Sequence, residues 1–116
     1  MPNRLPKHLH DALVAAGLAC EFLAGVDDAA YHANVLLRSA VERQLEILGE
    51  ACRRALEEAP GLRERMPEAT LAVALRNRSI HGYDRVEHAI VLDTVRRDLP
   101  PLRLKLDAEL QLHPLK

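Results

Sequence analysis

Residues 31–60 read YHANVLLRSAVERQLEILGEACRRALEEAP, and this stretch decides the fold. Tyr31, Val35, Val41, Leu45, Leu48, Cys52, Ala55 and Leu56 recur at mostly helical spacing and mark one apolar stripe. No proline interrupts it before Pro60-Gly61, so a single helix of about 30 residues, roughly 45 Å long, is expected. Asp27 or Asp28 stands where a cap is needed. Gly49 falls inside the stripe at a cost near ~1 kcal/mol relative to Ala. A residue that small would let another helix approach closely.

Working outward, Leu9, Ala12, Leu13, Ala16, Ala19, Cys20 and Leu23 form an earlier helical face, stopped at Gly25. After Pro60 and Pro67, a third helix is expected over 68–78 with Leu71, Ala74 and Leu75 inward, broken at Gly82. Asp84-Arg85-Val86-Glu87 matches a capping box. The last stripe runs Val91, Val95, Leu99, Leu102, Leu106 and Leu110, with Pro100-Pro101 expected to kink or break it near Leu99. The reading is all-α: one domain over residues 1–116, an antiparallel bundle of four helices, five if the proline pair splits the last.

Composition agrees. Of 116 residues, 21 are Leu and 17 Ala against 8 Val and 3 Ile, a balance that favours helix over strand. The apolar runs fall short of the ~18 residues of a spanning helix, and no basic-then-apolar start marks a signal peptide. A net charge of −1 argues against coating nucleic acid by bulk charge, though not against a local basic patch. Phe22, Tyr31 and Tyr83 are too few for a base-stacking platform. Cys20 and Cys52 lie on apolar stripes without C-x-x-C spacing, as expected of buried thiols in a cytoplasmic protein.

Chemistry concentrates in Arg76-Asn77-Arg78-Ser79-Ile80-His81-Gly82-Tyr83, at the junction of the third and last helices. In an unbroken helix Arg76 and His81 would stand about 140° apart, so their convergence needs the helix to end near Arg78 or a second subunit to complete the site. The plain alternative is a solvated helix C-terminus, where Arg and His suit the dipole. His8 and His10 lie near a mobile terminus, while His32, His88 and His113 are scattered. No pair has the spacing of a zinc site with carboxylate support, and neither metal nor cofactor is expected. Glu42, Glu46 and Glu50 form an acidic stripe, read as a salt-bridged face or as support for the motif arginines.

Arg76-x4-His81-x-Tyr83, with Asn77 after the arginine, resembles the signature of HepT-like toxins of the HEPN superfamily. Val41 to Ala51 resembles the family's long second helix, and Asp93 to Pro100 the start of its last. The resemblance implies a HEPN-like homodimer that cleaves RNA without a metal. His81 would then move protons, Arg76 would hold the scissile phosphate, and Asn77 would orient either group. Arg78 is either a phosphate contact or solvated. Tyr83 either packs on the final helix or receives AMP from a cognate nucleotidyltransferase antitoxin, which would silence a toxin of a type II/VII-like pair. The reverse assignment, with this chain neutralising its partner, also stands. So does a non-catalytic dimer binding nucleotides or a partner protein.

Overall fold

The computed structural model describes residues 3–79 and 85–115, leaving aside the side chains of 77–79 and 85–86. Among them are six helices: α1 (Leu5–Leu23), α2 (Asp28–Ala33), α3 (Val35–Glu58), α4 (Leu62–Arg65), α5 (Glu68–Ser79) and α6 (Arg85–Leu112). The all-α expectation holds. The extra helices arise at α2 and α4, not at the proline pair.

Each start and stop has a local cause. The Leu5 amide donates to Asn3 Oδ1 at 2.9 Å, and Pro6 fits an N-terminal turn whose amides have no helical partner. Gly25 takes φ +73, the left-handed conformation that glycine tolerates best, directly after the C-cap Ala24. Asp27 caps α2, its carboxylate accepting from the Ala30 amide at 2.8 Å. The expected single helix over the whole 31–60 stretch is not formed. Asn34 leaves helical geometry (φ −113, ψ 95) and caps α3 by accepting from the Leu37 amide at 3.0 Å. Arg38 donates to the carbonyls of Tyr31 and His32, satisfying the end of α2. Val35, placed on the stripe by spacing, is 65% exposed for the same reason: the stripe restarts at Val41.

Helix α3 is the centre of the bundle, packed on α1 and on α5, with α6 closing over α1. The core is Leu- and Ala-rich: Leu9, Leu45, Leu48, Leu102 and Leu106 are almost fully buried, with Ala12, Ala16 and Ala19 giving α1 a thin face. Helix α5 departs from the expected orientation. Its inward side is Ala69, Ala72 and Leu75, while Leu71 is 52% exposed and Ala74 is also exposed. Leu75 alone was placed correctly.

Helix α6 continues through Pro100 and Pro101 rather than ending there. Leu99, Leu102 and Leu106 are buried on both sides of the pair, which holds the segment in register. Both prolines are exposed, and so are Arg96 and Arg97, the residues whose carbonyls lose their helical donors. Cross-links pin α6 along its length. Arg96 reaches Asp28 at 2.6 Å and the Val26 carbonyl; Lys105 meets Glu68 at 2.8 Å; Arg65 meets the buried Glu109 at 2.8 Å. The capping box depends on Asp84, which lies outside the described residues. Among the described residues no helix is long and apolar enough to cross a membrane.

Candidate active site

Arg76 stands in the last turn of α5, 32% exposed at the side chain. Its position is set by Gly49. A Cβ at 49 would lie 2.3 Å from Arg76 Cβ and 3.0 Å from the Ala72 carbonyl, so only glycine lets α5 cross α3 this closely. The close approach expected from the sequence is therefore real, and the residue it places is the motif arginine. Asn77 and Arg78 follow on α5, with side chains outside the description. His81 and Tyr83 lie outside the described residues.

Directly after Gly49, Glu50 organises the cations. Its carboxylate accepts from Arg53 Nη2 at 2.6 Å and from Arg54 Nε at 2.9 Å. Arg76 Nη2 lies 3.9 Å from the other oxygen. The Arg53 hydrogen bond above all, with Arg54 beside it, holds the Glu50 carboxyl down to about 2. Glu50 thus stays ionised across the physiological range as a hub for guanidinium groups, as the acidic-stripe reading allowed. Glu46 instead pairs with Arg43 at 3.2 Å, and burial raises the carboxyl of Glu42.

Arg76 opens onto a groove of about 560 Å³ between α1 and α3. Five cationic side chains line it against three carboxylates, with Ile47 and Ala51 among its apolar lining. His8 is part of the wall. It is only 8% exposed, inside α1 and not on a loose terminus as its position suggested. Burial, then the nearby Arg54 charge, lowers its pKa, so its imidazole is neutral at pH 7. His8 and Arg54 are absent from the sequence-derived site. His8 sits at helical spacing from Leu5 and Ala12, a signal visible once the helix start at Asn3-Arg4-Leu5-Pro6 is recognised.

The cysteines supply no nucleophile here. Cys52 is fully buried, with its thiol pushed up to about 12, and Cys20 is half-buried. Among the described residues no group of three His, Cys, Asp or Glu side chains is arranged to hold a metal ion.

Residues 12–109 match the family described as Ribonuclease HepT-like. A relative named "Putative RNase MJ1380", from Methanocaldococcus jannaschii, is 32% identical over 101 residues, covering 85% of this chain and 90% of the relative. Another, "Putative RNase TTE0752" from Caldanaerobacter subterraneus subsp. tengcongensis, is 29% identical over 96 residues, covering 79% of this chain and 85% of that one. No solved structure matches the chain. With an all-α bundle, an arginine wedged at a helix crossing and a match across most of its length, the chain belongs to the HepT-like ribonuclease family of the HEPN superfamily.

Proposed function

We propose that this ribonuclease cuts RNA by internal transesterification, as the toxin of a two-gene toxin–antitoxin pair. The ribose 2′-oxygen attacks phosphorus and the bond to the 5′-oxygen breaks. The products are a 2′,3′-cyclic phosphate and a free 5′-hydroxyl. His81, whose imidazole can act as acid or base, takes the 2′-hydroxyl proton or protonates the leaving oxygen. Arg76 holds the scissile phosphate and stabilises the charge that grows on it. Asn77 orients the phosphate, and Arg78 adds a positioning contact.

One observation carries this reading: Arg76 is held at the rim of a cation-lined groove by a glycine contact and an ionised glutamate. Such placement suits an arginine that meets a phosphate, because pre-set donors lose little on binding. The functional unit is a homodimer with the two motifs facing one cleft. The cognate nucleotidyltransferase silences it by joining AMP to the Tyr83 phenol oxygen, pyrophosphate leaving from ATP. The added anion repels RNA at the cleft.

The test is cleavage of end-labelled RNA by the purified chain. Arg76→Ala and His81→Ala should each lower the rate by about 10²–10³, the usual loss for one transition-state contact. A 2′-deoxy residue at the scissile position should resist cutting, and a chelator should leave the rate unchanged. Efficient cutting of the deoxy substrate would overturn the mechanism, as would activity that needs added magnesium. RNA binding without any cleavage would favour the non-catalytic dimer instead.

A further inference from the structure

The groove beside Arg76 extends well past that residue. Its α3 side runs from Arg43 to Arg54, about 16 Å along the helix axis, long enough for a short run of nucleotides. A second hollow of about 330 Å³, again walled by Arg4, His8 and Arg54 but also by Glu57 and Glu58, continues it toward the end of α3. Among the described residues Arg4 has no carboxylate at ion-pair distance. Arg54 engages Glu50 through Nε and lines both hollows. His8, uncharged at pH 7, offers a hydrogen bond without further positive charge.

We propose that the α1–α3 groove, walled by Arg4, His8 and Arg54 and lined by Ile47 and Ala51, is a track for the phosphodiester backbone of the RNA strand flanking the bond held at Arg76. The assignment rests on the ribonuclease reading above for the strand's destination. Three features select a nucleic-acid strand over a compact anion. The groove is elongated, cations stand at both ends of its α3 side at Arg43 and Arg54, and its apolar lining suits sugar and base faces lying between phosphates. Carboxylates among the cations keep the attraction moderate, which suits a substrate that must leave after cutting.

The experiment uses the full chain carrying His81→Ala, so that binding is read without turnover. Anisotropy of a short fluorescein-labelled single-stranded RNA is titrated across salt concentrations. Arg4→Gln with Arg54→Gln should weaken binding on the order of tenfold at low salt and flatten the salt dependence by about 1.4 in slope, two single-strand phosphate contacts. The exposed pair Arg63→Gln with Arg103→Gln removes the same charge elsewhere and should leave binding nearly unchanged. Circular dichroism and thermal melting establish that both double variants are folded. With His81 restored, the groove variant should raise KM for the longer RNA by a larger factor than it changes cleavage of a dinucleoside phosphate. Equal losses in the two pairs would reduce the effect to bulk charge and overturn the track. Unchanged binding in the groove pair would overturn it too, with the cleavage mechanism untouched. Failure of Arg76→Ala to affect cleavage would instead strike the mechanism and leave the binding result standing.

Discussion

A methyl group at position 49 would sit 2.3 Å from Arg76 Cβ, a separation that real side chains do not reach. Alanine would gain near ~1 kcal/mol of helix propensity over glycine. It would also force the α5 backbone outward, since the Ala72 carbonyl, 3.0 Å away, has no rotamer by which to escape. Overpacking of this kind costs typically about 1–3 kcal/mol, so the strain wins. Gly49→Ala should lower stability to urea by about 1 kcal/mol and slow cleavage on the order of 10²-fold, because a displacement near 1 Å is that costly at an arginine with the proposed phosphate-holding role. An unchanged unfolding midpoint with full activity would contradict the account. His8 makes a separate prediction through pH. Its pKa is lowered in the fold, so the unfolded chain takes up a proton first as pH falls. The contribution is present above about 6.5 and is lost as pH drops through the lower, folded value. Melting temperature should therefore fall between about pH 7 and pH 5, and His8→Gln should flatten that decline. Glu50 acts in a different window, below about 4.5 and toward 2, so the two effects separate on one titration.

At the scale of elements, Asn34 shows how far periodicity reaches. No proline or glycine marks a break there, and Val35, Leu36 and Leu37 look like more of the same helix. What breaks the helix is polar and local: an asparagine side chain that serves the Leu37 amide, and an arginine one turn on that serves the carbonyls behind it. Asn34→Ala should cost about 1 kcal/mol in chemical denaturation, whereas Asn34→Asp should be nearly neutral. Equal losses in both would remove the cap as the cause. The same logic separates what was legible from what was not. Gly25 as a stop, Asp27 as a cap and the α1 and α6 stripes were readable because each depends on neighbours within a turn. The face of α5 was not, since two of its buried positions, Ala69 and Ala72, are alanines that a search for large apolar residues passes over. Arg76 entered the candidate site through a resemblance to a family motif. His8, Arg54 and Arg4 were missed because the groove joins positions some 50 residues apart in the chain, which no local spacing reveals.

For the whole molecule, the misplaced face of α5 becomes informative. Leu71 and Ala74 point away from the core, beside a groove of about 610 Å³ between α5 and α6 lined also by Ile90 and Thr94 and bordered by Arg97 and Asp98. A single exposed leucine means little. Here the apolar strip lies on the two helices that flank the motif junction, and α5 and α6 meet only lightly among the described residues. A second copy seated on that strip about a two-fold axis would cover Leu71 with its own counterpart and bring both junctions to one cleft, the arrangement the proposed mechanism requires. Leu71→Asp would place a carboxylate against its twin at the axis, where desolvation and like-charge repulsion act together. The chain should then run as a monomer by light scattering at micromolar concentration, and RNA cleavage should fall with dimer content while the melting temperature of the monomer stays near that of the parent. The conservative Leu71→Met should remain dimeric and active, because it keeps the volume and adds no charge. A Leu71→Asp protein that stays dimeric and cuts RNA at the parent rate would move the interface to another face of the bundle.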